Sequence, residues 1–151
     1  MSTCSDLSII FDKISAQSLS LQQCLEAEFE ALQANQFNTL LSLSEQKQQL
    51  VNDLDVLDKA RTSLVDGHHF VQILDELDSS HQLSTHWQNV QHKVKKCQQQ
   101  NAINGQLLHR RNELARETLD LISGRQNSQA ATYGPDGLKQ DRGQLLNHTK
   151  A

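Results

Sequence analysis

With 151 residues the chain has the length of one domain. Hydrophobic residues make up 36% and aromatics 4%, against roughly 45–50% apolar residues in an average globular domain. That excludes a thick globular core and favours a narrow apolar seam between helices, and the net charge of −4 excludes the concentrated Lys/Arg face of a nucleic-acid-binding domain.

In chain order, the first periodic stretch is Leu7, Phe11, Ile14, Leu21, Leu25, Leu32, in steps of three and four, with Ser18 and Glu28 as gaps and Ile10 and Phe29 beside it. This predicts an amphipathic helix over 5–34, capped by Ser5 or Asp6. Ala34-Asn35-Gln36-Phe37 reads as a reversal, because Asn tolerates the left-handed conformation that ends helices; a helix running straight through is the competing reading. Leu40, Leu43, Leu50, Leu54, Leu57 and Leu64 then predict a second helix over 37–65, with its stop at Asp66-Gly67. His68 to Ser80 carries enough apolar residues for a short third helix.

The third stripe organises the rest. Trp87, Val90, Val94 and Cys97, followed by Leu107, Leu108, Leu114, Leu121 and Ile122, predict one long helix over 82–123, with no Pro in it. Such a helix spans roughly 60 Å, more than a compact domain of this size requires. Asn101 and Asn104 fall on the extrapolated seam. Either they are buried and fix register or partner choice, or the stripe drifts, both are solvated, and Ile103 and Leu107 carry the seam. After Gly124 the composition turns polar and aperiodic. Residues 1–124 therefore read as a helical bundle and 125–151 as a flexible tail. The tail holds the sole tyrosine, Tyr133, in a Tyr-Gly-Pro-Asp-Gly turn. It reads either as an ordinary exposed residue or as an anchor held out by the turn. The fold class expected is all-α, an elongated antiparallel hairpin or three-helix bundle with one long C-terminal helix.

Charge is divided along the chain. Up to His81 four Lys/Arg face thirteen Asp/Glu, and from Gln82 onward ten face five. The simplest expectation is acidic early helices packed beside a basic late one.

No catalytic constellation is present. The seven histidines form no HExxH or Glu-x-x-His pairs, and Glu26, Glu28 and Glu30 do not converge on one helix face. Phosphate loops and nucleophile motifs are likewise missing from the sequence. No enzyme, metal or cofactor is expected. Cys4, Cys24 and Cys97 are isolated thiols, which fits a reducing compartment. The start has no basic and apolar leader, and no apolar run is long enough to span a bilayer, so a cytoplasmic protein without membrane insertion is expected. What remains is helix-in-groove binding.

Several of these stretches together resemble the FlgN-type flagellar export chaperones. Cys24-Leu25-Glu26-Ala27-Glu28-Phe29-Glu30-Ala31-Leu32 is similar to that family's Leu-x-x-Glu-x-x-Ala-Leu segment, and Leu40 through Leu54, with Lys47 between, to the helix that follows. Trp87, Cys97, Asn101, Asn104-Gly105 and Leu107-Leu108 resemble its Trp…Asn-x-x-Asn-Gly helix, and Thr132-Tyr133-Gly134-Pro135-Asp136-Gly137 its tail motif. The resemblance implies a non-catalytic cytoplasmic chaperone. It would bind C-terminal helical segments of hook-associated (hook–filament junction) proteins and deliver them to the cytoplasmic domain of the flagellar type III export gate. It implies gate docking by Tyr133 and Gly134. Substrate contact is expected on the late long helix, with Asn101, Asn104, Leu107, Leu108, Leu114, Leu121 and Ile122 as candidates, the two asparagines serving either register or partner contact. The alternative is a self-associating coiled-coil scaffold without cargo, which would form stable homo-oligomers.

Overall fold

The computed structural model describes residues 2–65 and 69–124. Four helices account for nearly all of them: α1 (Thr3–Gln33), α2 (Phe37–Leu64), α3 (Phe70–Leu77) and α4 (Gln82–Ile122). The protein is an all-α bundle with a long last helix. By its internal contacts the chain divides into two units, Met1–Leu108 and His109–Ala151.

The boundaries follow local chemistry. The cap of α1 is Ser2 rather than Ser5 or Asp6: its hydroxyl accepts the Ser5 N–H at 3.4 Å, and its carbonyl takes the Ser5 and Asp6 N–H groups. The helix starts earlier than the apolar stripe because the stripe marks only what is buried, not where the turn begins. Between α1 and α2 Asn35 takes φ +56°, the left-handed conformation, and Gln36 N–H closes back on the Ala31 carbonyl at 3.0 Å. α2 ends at an extended Val65; the expected stop at Gly67 lies outside the described residues.

In the first unit, α1 supplies the core. Leu7, Phe11, Ile14, Leu21, Leu25 and Leu32 are all buried, as are the two gaps in the stripe, Ser18 and Glu28. α2 contributes no fully buried residue; Leu50, Leu54 and Leu57 line the core from its edge. Cys97 of α4 donates its thiol hydrogen to the Ser18 carbonyl (3.2 Å), and Asn104 donates to the Leu25 carbonyl (2.8 Å). Equal advance along both chains means that α4 runs parallel to α1. Against α2 the sense reverses: Lys47 meets Asn101, whereas Arg61 lies 4.7 Å from the ring centroid of Trp87. The bundle is thus up-down-up.

Aromatic packing closes the Arg61 end. Phe11, Phe70 and Trp87 pack together at centroid distances of 5.0–6.3 Å, Phe70 edge-on to the other two, and the Arg61 guanidinium sits 4.7 Å from the ring centroids of Phe70 and Trp87. α3 enters this core through the fully buried Leu74. Asp78 then organises the start of α4. Its carboxylate accepts the Ser80 hydroxyl (2.6 Å), the Ser80 N–H and the Leu83 N–H (both 3.1 Å), and these bonds hold its pKa below the ordinary carboxylate value. His81, at φ +58°, pairs through Nδ1 with Asp75 Oδ1 at 2.8 Å; the pairing raises the imidazole pKa and lowers that of Asp75.

Phe11→Ala should cost about 3–5 kcal/mol in urea denaturation, because the aromatic cluster loses its central ring. The His81–Asp75 pair gives a second expectation. A raised folded pKa contributes stability that is complete below the ordinary histidine value, about 6.5, and is lost as pH rises through the raised value. The lowered Asp75 makes the contribution fade again as pH falls below the carboxylate range. Amide exchange in α3, corrected for its intrinsic pH dependence, should therefore accelerate as pH rises above the ordinary histidine value, about 6.5, in the native protein and stay flat in His81→Gln.

Candidate partner-binding site

Each of the three seam-forming helices carries a polar residue where its stripe calls for an apolar one. Glu28 on α1, Lys47 on α2 and Asn101 with Asn104 on α4 converge on one layer. Lys47 Nζ lies 3.1 Å from Glu28 Oε2 and donates to Asn101 Oδ1 at 3.2 Å. Asn104 Nδ2 donates to Glu28 Oε1 at 2.9 Å as well as to the Leu25 carbonyl, while its Oδ1 accepts from Gln100 at 2.9 Å. Asn104 is only 2% exposed, with donors and acceptor all engaged. Its amide is engaged entirely by the bundle's own helices. The drifting-stripe reading fails here: Asn104 is in the seam, Asn101 is half-buried beside it, and Ile103 faces solvent.

Two thiols flank this layer. Cys24 donates to the Leu43 carbonyl at 3.5 Å and Cys97 to Ser18. Burial pushes both thiol pKa values up, with the Glu28 charge adding to the effect at Cys24, so both stay protonated and act as weak donors. Gly105, next to Asn104, has open space where a Cβ would sit, and no packing contact requires a glycine there.

The apolar candidates behave differently. In the first unit Leu107 is half-buried and Leu108 is exposed. In the second unit α4 continues from His109 to Ile122 and ends at Gly124, whose φ of +67° is the usual left-handed stop. There Leu114, Leu119, Leu121 and Ile122 are 61%, 64%, 83% and 77% exposed. Helical periodicity gathers Leu114, Leu121 and Ile122 with Ala115 and Leu119 on one side, together with Thr118, whose hydroxyl donates to the Leu114 carbonyl at 2.8 Å. Glu113, Arg116, Glu117 and Asp120 fall on the other. Tyr133 and Gly134 lie outside the described residues.

Leu119 escaped the sequence reading because it sits at the edge of the stripe; the full helical projection reveals it. Glu28 and Lys47 escaped it as members of the polar layer. The available signal was that each interrupts a leucine stripe at the level where the third helix carries asparagine.

Among the described residues no three or more His, Cys, Asp or Glu side chains gather to hold a metal, and no helix is long and apolar enough to cross a membrane. A bundle whose polar groups bind its own helices together, and whose last helix presents bare leucines, belongs to the class of helical binding proteins. The comparison with protein families gives this class a name. The family model described as "FlgN protein" matches residues 1–141, and the chain belongs to the FlgN family, the flagellar export chaperones. Comparison with curated proteins returns no match, nor does comparison with solved structures.

The layer's cohesion can be measured. Asn104→Ala removes the donor shared by the Glu28 carboxylate and the Leu25 carbonyl, and should cost about 1–3 kcal/mol of unfolding free energy. Asn101→Ala, at a wetter position, should cost less; the reverse order would place the layer's anchor elsewhere.

Proposed function

We propose that this FlgN-family protein is a cytoplasmic chaperone for hook-associated proteins, and that Leu114, Leu119, Leu121 and Ile122 form its substrate face. The observation that supports this reading is the exposed, mostly apolar side of residues 114–122, on which Thr118 is the one polar member. An amphipathic helix from the C-terminal part of a hook–filament junction protein would lay its own apolar stripe against these leucines and be kept from premature polymerisation. The charged side of α4, with Arg116 between Glu113 and Glu117, would bias which helix fits rather than set affinity.

Delivery is the second half of the proposal. Tyr133 and Gly134, in the tail motif shared with the family, dock on the cytoplasmic domain of the export gate. An aromatic side chain on a turn-rich segment suits a small anchor that engages one pocket and releases readily. Asn101 and Asn104 take no part in client contact and instead fix the register of α4 within the bundle.

Calorimetric titration of the full chain with a C-terminal fragment of a hook–filament junction protein tests both halves. Saturable binding near one to one is expected, with Leu121→Asp weakening it by about thirtyfold or more, the loss typical of a hot-spot residue. Tyr133→Ala should leave the dissociation constant within about twofold of the native value while export of the same client falls in cells. Equal loss of client binding in Tyr133→Ala would end the division of labour, and no binding in the native protein would end the chaperone assignment for these clients.

A further inference from the structure

The charge asymmetry of the chain is not consumed by its own packing. From Gln82 to Arg111 there are five Lys/Arg and no Asp or Glu. The acidic early helices offer carboxylates, yet among the described residues Lys93, Lys95 and Lys96 have none within ion-pair distance. On α2, by contrast, Lys47, Lys59 and Arg61 each hold a carboxylate at 2.8–3.1 Å. The helix phase explains the difference. Val90, Cys97 and Asn104 turn inward, so His92, Lys96, Gln99 and Ile103, at steps of four, three and four, lie along an outward side with Lys95 flanking the row. All five are exposed, and Ile103, 48% exposed, is the apolar member of that row.

We propose that this outward row of α4 is a docking surface for an acidic amphipathic helical segment of a protein partner. Lys95 and Lys96, about 100° apart around the helix, meet carboxylates on the two sides of the partner's contact line, and Ile103, two turns beyond Lys96, receives a single apolar side chain. A straight row at helical spacing is matched by a second helix lying along it. Charge complementarity specifies the partner's sign. A cationic row free of internal partners binds without first breaking ion pairs, which favours fast, salt-sensitive association. One apolar residue is too little to hold an interfacial helix in a membrane. The row also has neither the arginine forks nor the aromatic faces that nucleic acids use. The surface lies within the first unit and does not depend on the client assignment above.

The test uses the full chain and a fluorescein-labelled synthetic helix bearing glutamates on one face around a central leucine. Binding should saturate, and should weaken about tenfold or more as NaCl rises from about 0.05 to about 0.5 M. Lys95→Glu with Lys96→Glu should weaken it by about tenfold or more at low salt. Ile103→Ser should weaken it by a smaller factor and leave the salt slope unchanged, a result that simple charge attraction does not give. Leu121→Asp should bind the peptide like the native chain, which separates this surface from the substrate face. The proposal is overturned if the double lysine variant binds as the native protein does. A scrambled peptide of the same composition binding equally well overturns it too, as does tighter binding to anionic vesicles or RNA than to the peptide. All four exchanged positions are exposed, and unchanged helical circular dichroism would confirm that the variants fold.

Discussion

Glu28 is the residue on which the bundle's arrangement turns. A carboxylate in a helical seam is tolerated only when its oxygens are engaged, and here Lys47 from α2 and Asn104 from α4 engage them together. The layer therefore does what apolar contacts alone do not: it distinguishes one alignment of three helices from all others. Sliding α4 by two turns would bring Cys97 to the level of Glu28 and strand the asparagine amide among leucines, whereas leucine against leucine would hardly register the change. With few aromatics and a thin seam, this chain has little shape to specify its register, so polar matching carries that task.

The helices were legible because their apolar residues recur at helical spacing and because only one proline interrupts the chain. Asn35 announced its turn through the one backbone conformation in which asparagine is favoured. The ends of α1 were less legible, since Ser2 acts through a hydroxyl that periodicity does not weigh. The polar layer was half legible. Asn101 and Asn104 drew attention as polar residues on a seam, but whether they were buried depended on whether other helices offered partners at the same height. That is a tertiary fact, and Glu28 looked like a gap in its stripe until α2 and α4 were placed beside it. The parallel sense of α1 and α4 was not readable either, because it depends on how α3 returns the chain.

FlgN-family membership gives the exposed leucines of α4 a context. Contiguous exposed apolar patches promote self-association. Residues 109–122 limit that hazard by confining the leucines to one side of a single helix and charging the other. Glu113, which pairs with His109 at 3.1 Å, belongs to that charged side. Such a charged side keeps the helix soluble in water despite its exposed leucines.

The bond from Asn104 to the Leu25 carbonyl joins residues 79 positions apart, and the Cys97–Ser18 contact spans the same distance. The α1–α2 hairpin, by comparison, closes across a turn of a few residues. Loop closure of such different lengths orders the events of folding: the hairpin forms early and α4 completes the seam late. During synthesis at roughly 5–20 residues per second, α1 and α2 leave the ribosome seconds before the helix that covers them. For that interval the nascent chain holds a half-open seam in which Glu28 has Lys47 beside it but not yet the Asn104 amide. The aggregation risk of the newborn chain thus falls in the gap between its second and fourth helices, and codons that slow translation there would lengthen it.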